Sequence, residues 1–173
     1  MSKKVFIFLP DGVGLRNFAF TKFKEIGESK GYAITYWNNT PFSIEKEIGF
    51  KEVKIEDQTV HPFTSIFTRA RKRSELNVFN KKFKETVYNT YNFPQSYSGF
   101  INAFKSIAVD ILVLTASHER GVAFIRNMVK KLERKTSKYQ YCKKQLQEHK
   151  PDFIFCTNQR PSQAIAPILA AQD

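Results

Sequence analysis

The sequence predicts an α/β fold, a parallel sheet carrying a long helical insert, on three observations. Residues 4–9 are an unbroken β-branched and aromatic run that stops at Pro10-Asp11-Gly12 and leads straight into a helical pattern. Two further strand-like runs alternate with helical patterns in the first sixty residues. A fourth apolar run, at 153–156, again precedes a polar loop and a helix.

The elements follow in order. Within 4–9, the continuous apolar run 5–9 suits a strand buried on both faces. Leu15, Ala19, Phe23 and Ile26 recur every three to four residues and predict one helix, with Gly31 at its C-terminal cap. A second strand at 32–37 is closed by the turn residues Asn38-Asn39-Thr40-Pro41, and Ser43 is placed to cap a short helix carrying Ile44 and Ile48. A third strand fits 52–55, followed by turn-like Glu56, Asp57 and Gln58. Such alternation implies right-handed crossovers and a three-layer, Rossmann-like arrangement.

From 62 to 150 the pattern turns helical. Leu76, Phe79, Phe83, Val87 and Tyr91 repeat at core spacing, as do Val122, Ile125, Val129 and Leu132. Residues 107–115 have the β-branched content of a strand but lie between helical patterns, and are assigned to helix. Pro151-Asp152 ends this region; 153–156 reads as another buried strand and 163–171 as a last apolar helix. An α/β domain would normally return to its sheet after that helix. The single domain 1–173 is therefore expected to be the amino-terminal part of a longer protein.

Composition narrows the class. The 173 residues carry 28 Lys plus Arg against 16 Asp plus Glu, a net charge of +12, and 42% are hydrophobic, which excludes a disordered or low-complexity chain. Cys142 and Cys156 lack any Cys-x-x-Cys or paired-histidine spacing, so neither a disulfide scaffold nor a zinc module is indicated; two reduced, buried thiols in a cytoplasmic protein are expected. The run at 5–9 is shorter than the ~7–15 apolar residues of a signal peptide, and no run approaches the ~20 that span a bilayer.

The positive charge gathers in two helical stretches, Arg69 to Lys84 and Arg126 to Lys150. Such faces are either simply solvated or attract nucleic acid or anionic headgroups. No RNA-recognition, helix-turn-helix or zinc-finger pattern is present, so an anionic membrane surface is favoured over nucleic acid.

In an open parallel sheet ligands bind at the carboxyl ends of the strands, which singles out two loops, 11–17 and 157–162. Gly12 and Gly14 serve either a tight strand-to-helix turn or the approach of main-chain N–H groups to an anion. Asp11 is either a proton acceptor for a hydroxyl nucleophile or a capping residue. Arg16 and Arg160 are candidate bidentate anion contacts, with Asn17, Asn158 and Gln159 as polar neighbours. His118, at a helix–helix corner, is a capping residue or a second catalytic candidate. His61 and His149 read as loop and helix-end residues, and no Gly-x-Ser-x-Gly elbow exists.

The opening segment Lys4-Val5-Phe6-Ile7-Phe8-Leu9-Pro10-Asp11-Gly12-Val13-Gly14-Leu15-Arg16-Asn17, taken with Pro151-Asp152-Phe153-Ile154-Phe155-Cys156-Thr157-Asn158-Gln159-Arg160-Pro161-Ser162, resembles the amino-terminal half of a bacterial glycosyltransferase of the two-domain GT-B fold. The resemblance spans nearly the whole chain in element order. It implies an acceptor-side domain facing a separate carboxy-terminal domain that holds a nucleotide-diphosphate sugar, with no metal required and no cofactor beyond that co-substrate. It also implies a lipid-linked or cell-envelope sugar acceptor, a peripheral position at the inner membrane face, and an isolated fragment that is inactive. On this reading Asp11 is the candidate base, with His118 the other catalytic candidate; Gly12, Gly14, Arg16, Asn17, Asn158, Gln159 and Arg160 surround the substrate. Many inverting members carry a catalytic His after the first strand, where this chain has Asp11 and Asn17. The rival reading is a stand-alone nucleotide-binding module or a basic adaptor without catalysis.

Overall fold

The computed structural model describes residues 2–173. Strands β1 (Lys3–Leu9), β2 (Tyr32–Asn38), β3 (Glu52–Lys54) and β4 (Phe153–Cys156) form one sheet in the order β3-β2-β1-β4. All pairings are parallel, with Ile7 opposite Tyr36 on one side and Phe155 on the other. The fold is the α/β class that the sequence predicts, a Rossmann-like layered arrangement. From β1 the chain builds outward to β2 and β3, then crosses back to place β4 on β1's other flank. Strand order thus reverses beside β1.

The chain divides into two compact units: a sheet unit, made of the residues up to Val60 with Arg134–Asp173, and a helical unit, His61–Glu133. In the sheet unit β1 is central, so both of its faces are covered. Phe6 and Phe8 meet Trp37, Val53, Tyr139 and Cys142 of α7 (Ser137–His149), and Leu169 and Ala170 of α8 (Ile165–Gln172). The alternate residues Ile7 and Leu9 meet Leu15, Ala19, Ile34, Tyr36 and Ile44 on the other face. This alternation of side chains across a strand makes the three layers. A hydrogen-bond chain runs through the first face: Trp37 Nε1 donates to Gln145 Oε1 (2.8 Å), and Gln145 Nε2 donates to the Lys54 carbonyl (2.6 Å). The helical segment expected over 62–150 therefore divides, because α7 brings Tyr139 and Cys142 to the sheet.

Local structure departs from the sequence reading in four places. The helix expected from Leu15 onward is broken: α1 (Gly12–Gly14) runs into a π-helical turn (Leu15–Ala19), and α2 (Phe23–Ser29) starts afresh. In α2 it is Gly27 that approaches the sheet, since a Cβ there would lie 2.2 Å from Ile34 Cδ1, and Ile26 is left 55% exposed. The short helix α3 (Ile44–Ile48) follows expectation, with Ser43 Oγ accepting from the Lys46 N–H and Gly49 left-handed at its end.

Strand β4, expected to be buried, is at the sheet edge, and Phe153 and Phe155 are about half exposed because only one flank is paired. Cys142 is buried as expected, whereas Cys156 on β4 is half-buried; both are free thiols.

The fourth departure is in the helical unit, which comprises α4 (Thr64–Phe83), α5 (Phe100–Ala116) and α6 (Glu119–Glu133). Its core is Ile66, Ala70, Val109, Ala116 and Ile125. The helical assignment of 107–115 holds. Phe79, Phe83, Val87 and Tyr91, expected in a core, are exposed. Helix α4 stops at a left-handed Lys84, and a 3-10 turn (Val87–Tyr91) follows, so the periodicity continues across a break where it no longer describes one face.

Candidate functional site

The two loops singled out from the sequence lie on either side of the strand-order reversal, one leaving β1 and one leaving β4, and they touch. Asn158 Nδ2 donates to Asp11 Oδ2 at 2.6 Å. Asp11 Oδ1 accepts from the Val13 and Gly14 N–H groups (3.1 and 3.0 Å), an N-cap on α1. Asn158 Oδ1 in turn accepts from the Arg160 N–H at 3.0 Å, which shapes the loop after β4.

These bonds decide between readings left open by the sequence. The N–H groups of Val13 and Gly14, which a phosphate would need, are already taken by the Asp11 carboxylate. Gly14 is a packing glycine: a Cβ there would lie 2.2 Å from Thr157 Oγ1, whose hydroxyl donates to the Phe8 carbonyl at 3.0 Å. Gly12 has nothing within 4 Å of a Cβ and faces open space.

That open space is a cleft of about 470 Å³ at the carboxyl ends of β1, β2 and β3. Pro10, Asp11 and Gly12 line it after β1; Asn39, Thr40 and Pro41 after β2; Lys54, Ile55, Glu56 and Gln58 at and after β3; and Gln163 from the 3-10 turn before α8. A second depression of about 590 Å³ shares Pro41, Lys54 and Glu56 with it and adds Glu45 and Glu52. Both are within the size of ordinary small-molecule clefts.

The wall after β2 is densely hydrogen-bonded. Asn38 is fully buried; its Oδ1 accepts from the Thr40 N–H and hydroxyl (2.8 Å each), and its Nδ2 donates to Glu52 Oε2 (2.7 Å) and the Phe42 carbonyl (2.6 Å). Beside it Asn39, only 4% exposed, accepts from the buried Lys138 ammonium at 2.8 Å through Oδ1. That bond fixes which end of the Asn39 amide is oxygen, and leaves its buried Nδ2 without an acceptor. An unsatisfied buried donor costs about 1–3 kcal/mol, a cost this N–H sheds only when a shift of the Asn39 side chain brings it to a ligand oxygen.

Electrostatics favour a neutral ligand. Asp11 and Glu56 line the cleft, and Glu45 and Glu52 with one cation, Lys46, the adjoining depression, while the Lys54 ammonium is tied to the Phe42 carbonyl at 2.6 Å. Burial works against ionisation of Glu52, but hydrogen bonds from Asn38, Ser43 and the Ile44 and Glu45 N–H groups outweigh it and hold the carboxyl below its ordinary value. Asp57 is likewise held low: burial opposes, and Ser137, Thr59 and the Lys138 charge prevail. Among the described residues no group of three or more His, Cys, Asp or Glu is arranged to hold a metal ion.

Of the residues picked from sequence, Asp11 and Gly12 line the cleft, and Asn158 and Gly14 brace it from behind. Arg16, Asn17, Gln159 and Arg160 are solvent-exposed and outside its lining. His118 belongs to the helical unit, where its Nδ1 accepts from the Gly121 N–H at 3.1 Å as a cap of α6. Sequence reasoning missed Asn39, Glu56, Gln58 and Gln163. The first three stand directly after strands that it found, which is where the ligand-binding ends of a parallel sheet lie.

Compared with known protein families, with curated proteins and with solved structures, the chain has no match.

Proposed function

We propose that this chain is the acceptor-side domain of a glycosyltransferase, which moves a sugar from a nucleotide-diphosphate sugar to a cell-envelope or lipid-linked acceptor, and that the cleft beside β1 seats the acceptor's sugar. The observation that carries the reading is the lining of that cleft: carboxylates, side-chain amides and a hydroxyl, with one buried amide N–H still in need of an acceptor. Amides and carboxylates are the groups that pair with sugar hydroxyls, each hydroxyl both donating and accepting. The same carboxylates repel a diphosphate, so the donor belongs elsewhere.

In this reading Asp11 Oδ2, which accepts one hydrogen bond from Asn158 and keeps a second lone pair, takes the proton of the attacking acceptor hydroxyl. The hydroxyl oxygen bonds to the anomeric carbon, and the nucleoside diphosphate leaves with the electron pair of the broken bond. Asn158 keeps the carboxylate aimed, and Gly12 leaves room for the incoming ring.

Calorimetric titration with neutral pyranose oligosaccharides and, separately, with a nucleotide-diphosphate sugar tests this. Saccharide binding with at most weak nucleotide-sugar binding is the expected result. Tight binding of the nucleotide sugar by this chain, with none of the saccharides, would overturn it in favour of a nucleotide-binding module.

A further inference from the structure

The helical unit presents a surface that the cleft does not use. On α5, Phe100, Phe104, Ile107, Ile111 and Leu114 follow one another at steps of four and three residues, so they line one face of the helix. That face is bare: Phe100 and Leu114 are each 89% exposed, and Phe104, Ile107 and Ile111 are 61%, 53% and 60% exposed. The opposite face, with Ser106, Val109 and Ala116, is the buried one. At the start of α5 a groove of about 290 Å³, bordered by Phe63, Ile66, Ile101 and Lys105, extends the apolar surface and sets an ammonium beside it. A contiguous apolar strip of this kind is rare on a protein that stays in water by itself.

Charge selects what covers it. The helical unit has twelve Lys and Arg against five Asp and Glu, and the whole chain is +12. The one acidic residue of α5, Asp110, is engaged by Arg73 and by the Tyr97 hydroxyl. Face-to-face pairing of two copies would bring like charge together, whereas an anionic bilayer surface attracts it. No helix of the described residues is long and apolar enough to cross a membrane, so α5 is suited to lying in the interface plane with its aromatic and aliphatic side chains at the headgroup–acyl boundary.

We propose that α5 is an in-plane docking helix for an anionic lipid surface, inserting Phe100, Phe104, Ile107, Ile111 and Leu114. The proposal is independent of the saccharide cleft, and either can fail without the other.

Flotation of the full chain with phosphatidylcholine vesicles, with and without about 30% phosphatidylglycerol, is the test. The chain is expected to float with the anionic vesicles, less so as salt rises from about 0.05 to 0.5 M. The Phe104→Asp/Leu114→Asp variant, whose far-UV circular dichroism and melting curve report its fold, should partition about tenfold or more weakly. Leu114→Asp alone, at one of the two most exposed positions, should weaken binding in the same direction. Phe104→Trp should shift its emission to the blue on anionic vesicles, against a native background of the single buried Trp37. Three results would overturn the proposal: no flotation of the wild type, flotation unchanged in the folded Asp variants, or a concentration-dependent dimer in sedimentation velocity that those substitutions abolish.

Discussion

The side-chain amide of Asn158 holds the carboxylate of Asp11 at 2.6 Å across 147 residues of sequence, joining the loop after β1 to the loop after β4. This bond closes the sheet at its point of strand-order reversal, and its removal has a readable cost. Asp11→Ala strips the α1 cap and this tether together and should destabilise the chain by about 1–2 kcal/mol in chemical denaturation. Asn158→Asp replaces the donor with a second carboxylate against Asp11, so it should destabilise the chain by more than the loss of one hydrogen bond, about 1 kcal/mol.

The two glycines of the β1 loop should behave oppositely. Gly14→Ala drives a Cβ to within 2.2 Å of Thr157 Oγ1, which cannot rotate away without losing the Phe8 carbonyl, and should cost about 1–3 kcal/mol. Gly12→Ala meets nothing within 4 Å and adds helix propensity, so thermal melting should show it neutral or slightly stabilising. It should still weaken saccharide binding, because it narrows the cleft.

Glu52 gives the acid limb of stability. Its carboxyl is held low in the folded chain, so its ionised form contributes fully above the ordinary value near ~4.3, and that contribution is lost as pH falls through the lowered folded value. Glu52→Gln should therefore cost about 1 kcal/mol near neutral pH, and the gap to wild type should close below about pH 4 in denaturant titrations.

The thiols differ in reach. Burial pushes Cys142 up to about 12, and Cys156, half-buried, is raised also. Alkylation at mildly alkaline pH, read by mass spectrometry, should modify Cys156 first and Cys142 only as the chain unfolds. Equal native labelling of both would contradict the packing of Cys142 between α7 and the sheet.

The strands and their parallel order were legible because β1 is buried on both faces and says so in an unbroken apolar run from Val5 to Leu9. The four residues missed in the cleft carry no such signal. Asn39 reads as an ordinary turn residue, and what makes it unusual, a buried Lys138 holding its oxygen, comes from 99 residues away. The bare face of α5 was hidden for a related reason. Apolar spacing announces a face but not whether anything covers it, and Phe104 and Val109 look alike in sequence while one is 61% exposed and the other fully buried. Phe79 and Phe83 misled in the same way, since on α4 they meet each other and Tyr88 rather than a core, and the spacing that continues to Val87 and Tyr91 runs past a helix end at Lys84.

The central claim rests on Asn39, and its side-chain NH₂ resonance in a ¹⁵N-labelled chain is the most direct test. Titration with a neutral pyranose oligosaccharide should shift that resonance together with the Gly12 and Gln58 amides. Asn39→Asp, which keeps an oxygen for Lys138 but removes the donor, should fold normally and bind about tenfold or more weakly, the loss of one well-placed hydrogen bond. An unmoved Asn39 signal at saturating saccharide, or full-strength binding by Asn39→Asp, would contradict the assignment of this cleft to a sugar acceptor.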